Sequence, residues 1–162
     1  MEQVEETLAA LLKKREMTVT AAESCTGGMI AARLVNVPGI SDYFWGSFVT
    51  YANEAKTTLL GVDEQLLERK GAVSLEVAEA MALGAAKAAG ADVAISSTGI
   101  AGPDGGTPEK PVGLVYLGCS VKGVTSVVEC HFHGTRQEVR SQAAREALEL
   151  AVTCLTEYTG RE

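Results

Sequence analysis

The stretch TVTAAESCTGGMIAARL, from Thr18 to Leu34, constrains the fold more than any other part of the chain. A short β-favouring run, Thr18 to Ala22, leads through Ser24, Cys25 and Thr26 to the pair Gly27-Gly28. A run with helical spacing, Thr26 to Val35, follows and ends at Pro38-Gly39. A strand that turns at once into a helix is the building unit of an α/β sheet.

The rest of the chain repeats that alternation. Val4, Leu8, Leu11 and Leu12 space a first helix over residues 2–16. Phe44 to Tyr51 is aromatic and β-branched and reads as a strand. Asn53 caps a short helix closed by Gly61, and Asp63 a second closed by Gly71. Ser74 opens a longer helix that ends at Gly90. Asp92 to Ser97 reads as a buried strand. Val112–Val121 and Val124–Phe132 read as an antiparallel pair about Lys122-Gly123. Thr135 and Glu138 form a capping box that starts a last helix, Thr135 to Tyr158. The expected architecture is an α/β fold, a three-layer α/β/α domain with a mixed, partly parallel sheet, in one domain over residues 1–162. Hydrophobic residues make up 46% and aromatics only 5%, which suits Ala-rich helices packed on a sheet.

The charge balance limits the partners. Fourteen basic residues face twenty-one acidic ones, a formal charge of −7, so no nucleic-acid partner is expected. No apolar run is long enough for a membrane span, and the charged, amphipathic N-terminus is unlike a signal peptide; a soluble cytoplasmic protein is expected. The four cysteines, Cys25, Cys119, Cys130 and Cys154, show no paired spacing and read as reduced thiols. Cys119, Cys130, His131 and His133 match no common zinc pattern, so no metal is expected.

Three groups of residues can carry chemistry. Ser24, Cys25 and Thr26 precede a glycine pair at a helix start, where backbone N–H groups around Thr26 to Gly28 can hold an oxyanion and glycine lets a substrate approach. Helix capping explains Ser24 and Thr26 more simply if the motif stands alone. A serine nucleophile needs a base. His131 and His133 face one side of a strand with no sign of a catalytic turn, whereas Tyr51 and Lys56 stand at a strand-to-helix junction. If strands 18–22 and 44–51 are parallel, Ser24, Tyr51 and Lys56 meet at one sheet edge. The second group is Thr98 and the loop Gly99–Gly113, with five glycines and three of the four prolines. The third is Arg136 and Arg140, one turn apart at a helix start, which suits a phosphate. Cys25 is the rival nucleophile, because thiolates at helix starts are reactive.

The segments TAAESCTGGMIAARL, VTYANEAKTTLLGV, GAVSLEVAEAMA, STGIAGPDGGTPEKPVGLVY and GTRQEVR follow one another as in the CinA C-terminal family, the nicotinamide-nucleotide amidohydrolases, and the chain resembles that family from about Leu8 to about Leu155. The chain resembles a stand-alone form of that domain. The resemblance implies hydrolysis of the carboxamide of nicotinamide mononucleotide (NMN) to nicotinic acid mononucleotide and ammonia, by a Ser-Lys type mechanism without metal or cofactor. It implies that Ser24 is the nucleophile, with Lys56 and Tyr51 as the other catalytic residues. It implies that Thr98 and Arg136, with Arg140 as a second arginine, bind substrate; from the residues themselves, Thr26, Gly27 and Gly28 and the loop glycines Gly99 and Gly102 are expected to border it as well. A homo-oligomer, dimer or higher, is expected from the family and from the acidic, Ala-rich helices. The rival in function is an inactive nucleotide-binding or regulatory module.

Overall fold

A computed structural model describes residues 2–160. Five strands form one sheet in the order β2-β1-β3-β4-β5. They are β1 (Val19–Glu23), β2 (Phe48–Val49), β3 (Val93–Gly99), β4 (Leu114–Val121) and β5 (Val124–His131). β1 pairs in parallel with β2 and β3, while β3–β4 and β4–β5 are antiparallel. The sheet is mixed, as expected.

Helices cover both faces. α1 (Val4–Arg15), α2 (Met29–Leu34) and α6 (Arg136–Glu157) supply Leu8, Leu12, Ile30, Leu34, Ala147 and Leu148 to one core, against Val19, Ile95 and Leu117 of the sheet. α3 (Asn53–Leu60), α4 (Glu64–Lys70) and α5 (Leu75–Ala89) bury Leu60, Leu67, Val77 and Met81 against Ala22 and Ala94 on the other face. The central strands β1, β3 and β4 are buried along nearly their whole length, so β1 reads as a continuous run instead of alternating, while β2 and β5 form the exposed edges. Among the described residues, no helix is long and apolar enough to cross a membrane.

The caps hold where the sequence placed them at Asp63, whose carboxylate accepts from the Gln65 N–H at 2.8 Å, and at the Thr135–Glu138 box. Asn53 does not cap α3; Ala52 stands at the cap and Asn53 begins the helix. α2 starts at Met29, later than expected, because Gly27 and Gly28 both take positive φ, 55° and 105°. The expected strand 44–51 shrinks to Phe48–Val49. Phe44 bridges to Val19, but the register then slips by one residue before Phe48 meets Ala22. That slip falls at Trp45–Ser47 on the sheet edge, where Trp45 stands in solvent.

This topology decides where the site lies. The parallel strands β1, β2 and β3 all end at one edge of the sheet, and β5, twice reversed relative to β3, ends there too. The chain leaves β1 towards β2 and leaves β3 towards β4, opposite ways, which opens a crevice between the two exits.

α5 packs closely on α3 at Gly84, where an added Cβ would run into the Leu60 carbonyl oxygen. In an unobstructed helix Gly→Ala stabilises by about 1 kcal/mol. Gly84→Ala is expected to destabilise instead, by about 1–3 kcal/mol, measured as a lower urea midpoint at unchanged slope.

Candidate active site

The crevice is a cleft of about 190 Å³ lined by Ser24, Tyr51, Asn53, Lys56, Thr98 and Arg136, with Cys25, Ala101 and Gly99. It is smaller than the roughly 300–1,000 Å³ of pockets that enclose a whole drug-sized ligand. It suits one end of an elongated substrate.

Ser24 follows the last residue of β1, and its N–H is tied to the Ser97 carbonyl of β3 at 3.0 Å. Lys56 lies on the first turns of α3, only 1% exposed, with Nζ 3.1 Å from Ser24 Oγ, 2.9 Å from the Thr50 carbonyl and 3.2 Å from the Tyr51 carbonyl. Burial lowers the Lys56 pKa from the ordinary lysine value, opposed in part by Cys25. Nζ donates to the two carbonyls and to the serine hydroxyl, and once it has lost a proton the freed lone pair can face that hydroxyl. Parallel strands bring serine and lysine into the arrangement that a nucleophile and its base require.

Tyr51 reaches the pair differently from the expectation. Its carbonyl, and not its ring, touches Lys56. The side chain is 62% exposed, and its hydroxyl accepts from Arg136 at 3.1 Å. Arg136 also donates to the Gly102 carbonyl at 2.7 Å, so it bridges the β2 exit and the glycine-rich loop across the cleft mouth. No proton relay from the Tyr51 hydroxyl to Ser24 is made here. Gly102 enters through its carbonyl. Thr98 borders the cleft, but its hydroxyl donates to the Ala72 carbonyl at 2.8 Å.

Arg140 is set apart from Arg136. Its guanidinium donates to the Cys25 carbonyl at 2.9 Å and to the Thr26 carbonyl at 3.1 Å. It holds the turn after Ser24 and does not line the cleft. Thr26 is fully buried, with its hydroxyl on Glu23 at 2.6 Å and beside Ser97 at 2.7 Å, so it supports the turn and does not face a substrate.

The N–H groups of the glycine pair, expected to hold an oxyanion, are already engaged. The Gly27 N–H is taken by the Ser24 carbonyl and the Gly28 N–H by Glu23, both at 3.1 Å. Cys25 lines the cleft; among the described residues neither its N–H nor that of Thr26 makes a main-chain hydrogen bond, and the Cys25 N–H lies against its own thiol. The same residue is a poor nucleophile. Its thiol is 5% exposed, and burial, with a smaller contribution from Glu23, pushes its pKa up to about 11. At neutral pH it stays protonated.

His131 stands on β5 with Nε2 2.7 Å from a Glu129 carboxylate oxygen, in solvent, and neither it nor His133 lines the cleft. Among the described residues no group of three His, Cys, Asp or Glu side chains is placed to hold a metal ion, and all four cysteines are free. Asn53, expected as a helix cap, lines the cleft. Glu23 lies beyond the expected strand Thr18–Ala22, and the structure places it, fully buried, as the last residue of β1.

Residues 1–155 match the CinA C-terminal domain. The chain belongs to the CinA family. It is 55% identical over 148 residues to a CinA-like protein of Citrifermentans bemidjiense and 51% identical over 148 residues to one of Kosmotoga olearia, in each case covering 91% of this chain. The chain spans 36% of the length of these curated relatives. Among solved structures, a CinA superfamily protein from Klebsiella pneumoniae superposes with a TM-score of 0.92 at 33% identity, covering 96% of this chain and 97% of that one. The competence/damage inducible protein CihA from Agrobacterium tumefaciens superposes with a TM-score of 0.90 at 39% identity, covering 97% and 98%.

Arg140 bonds the Cys25 carbonyl and shares the Thr26 carbonyl with the Met29 N–H, so it ties α6 to the turn after Ser24. Arg140→Ala is expected to lower the unfolding free energy by about 1–3 kcal/mol, read from chemical denaturation.

Proposed function

We propose that this CinA-family chain is an amidohydrolase that converts NMN to nicotinic acid mononucleotide and ammonia through an acyl-enzyme on Ser24. The observation that carries the reading is the buried Lys56 amine 3.1 Å from Ser24 Oγ. An unactivated amide needs a nucleophile, a base that also returns the proton, and an oxyanion donor.

Lys56 Nζ takes the Ser24 proton as Oγ bonds to the carboxamide carbon. The Cys25 N–H, on the residue after the nucleophile, takes the oxyanion. As the C–N bond breaks, Lys56 gives its proton to the leaving nitrogen, and ammonia departs. Water then attacks the ester, giving a proton to Lys56, which returns it to Ser24 Oγ. Tyr51 tunes Lys56 through its carbonyl. Arg136, with its exposed guanidinium at the cleft mouth, binds the phosphate; Gly99 and Gly102 border the path between base and phosphate. Arg140, Thr26, Gly27 and Gly28 shape the turn. The scheme needs no cofactor or metal. The reading includes a cytoplasmic location, in keeping with four free thiols, and assembly into a homo-oligomer.

Ammonia release from NMN tests the reading. Ser24→Ala is expected to lower kcat by about 10⁴-fold or more. Activity close to the parent's in Ser24→Ala would contradict it, and binding of NMN without turnover by the parent would make the chain a binding module.

The pH profile has a definite sign. The base works only when unprotonated, so kcat/KM rises with pH and levels off above the lowered Lys56 pKa. Its midpoint is expected below the ordinary lysine value of about 10.4.

Arg136 should act on binding. Arg136→Ala is expected to raise KM for NMN roughly 10–100-fold with little change in kcat. The same change should leave kcat/KM for nicotinamide riboside, which has no phosphate, near the parent's value.

A further inference from the structure

Glu23 ends β1 one residue before the nucleophile, is fully buried, and does not line the cleft. Among the described residues no cation pairs with it. Its oxygens instead collect four donors. Oε1 accepts from Thr26 Oγ1 at 2.6 Å, the Gly28 N–H at 3.1 Å and the Ile30 N–H at 2.9 Å, and Oε2 accepts from the Ala31 N–H at 3.0 Å. Donors on every side and no acceptor are the environment of a carboxylate. Burying a charge without a counter-ion is costly, and the four bonds all come from one short segment, Thr26 to Ala31.

We propose that Glu23 is a positioning residue, whose buried carboxylate locks the turn between β1 and α2 in the shape that aims the Ser24 hydroxyl at Lys56 and leaves Cys25 a bystander. The proposal rests on the amidase reading for its catalytic part.

The turn is gripped from two sides. Glu23 gathers its N–H groups, while Arg140 gathers the carbonyls of Cys25 and Thr26. Two successive glycines at positive φ could otherwise let Ser24 and Cys25 exchange places over the cleft. The titratable and charged groups bearing on Cys25 are Glu23, Arg140 and Lys56, and the Ser97 hydroxyl touches it. Of these Glu23 alone is negative. Its charge adds to burial in keeping the thiol protonated, so its removal should free the thiol as well as the turn.

The test is Glu23→Gln, which keeps the shape but offers an amide where donors already point. In folded Glu23→Gln, kcat for NMN is expected to fall about a hundredfold with KM little changed, as for a reacting group displaced by about an ångström. Alkylation of Cys25 by iodoacetamide at pH 8, located by peptide mass mapping, should quicken about tenfold as the loosened turn exposes the thiol and the Glu23 charge is lost. A second measurement runs the alkylation in a Ser24→Ala background, where it reads the turn whether or not the parent hydrolyses NMN. If the parent releases no ammonia, the amidase reading fails while the alkylation still decides the role of Glu23. Should Glu23→Gln not fold, Thr26→Val, which removes one of the four bonds and keeps the charge, is expected to lower kcat about tenfold or, without turnover, to quicken Cys25 alkylation. A folded Glu23→Gln with parent-like kcat, or with a parent-like Cys25 alkylation rate, overturns the proposal, as does a folded Thr26→Val that matches the parent in both.

Discussion

One amine sits where burial works against its charge. Lys56 Nζ is sealed from solvent among two main-chain carbonyls and one hydroxyl, with no carboxylate in contact. Water cannot solvate an ammonium there, so burial favours the neutral form. Each neighbour follows from that. The Thr50 and Tyr51 carbonyls are free to accept because β2 stops at Val49 and the chain bends towards α3. Ser24 Oγ meets the amine because β1 and β2 are parallel and end together.

The short edge strand therefore matters more than its length suggests. A regular strand to Tyr51 would commit the Thr50 and Tyr51 carbonyls to a ladder or turn them outward. The register slip near Trp45 and the early end of β2 leave those carbonyls for Lys56. Across the cleft, the same economy of backbone groups operates at Ser24. The N–H groups of Gly28, Ile30 and Ala31 go to Glu23 and the carbonyls of Cys25 and Thr26 to Arg140. A turn held by spent backbone groups is the rigid support that electrostatic preorganisation requires.

The fold was largely legible in the sequence, because its signals are local. Capping residues at Asp63, Ser74 and Thr135, and glycines after the helices, mark helix ends that the structure keeps. The mixed sheet followed from the order of elements and one tight hairpin at Lys122-Gly123. The site was legible in part. The Ser24, Tyr51 and Lys56 set was visible as residues at strand exits, and the family resemblance chose among them. The directions of side chains were not. The Tyr51 ring turns to Arg136, and Arg140 turns inward to the Ser24 turn instead of outward with Arg136, although the two are one helical turn apart. Those choices depend on partners distant in sequence, such as Cys25 for Arg140 and Gly102 for Arg136. Glu23 escaped notice for the same reason. An acid in a strand ordinarily reads as an outward-facing residue, and only the tertiary turn shows four donors converging on it.

The account stands on the charge state of Lys56 beside Ser24. Following the Lys56 ¹³Cε resonance against pH, in protein carrying labelled lysine, reads that charge directly and needs no substrate. The account predicts a Lys56 titration midpoint below the ordinary lysine value of about 10.4, separate from the surface lysines. A Lys56 that titrates with the surface lysines, or above them, would contradict it.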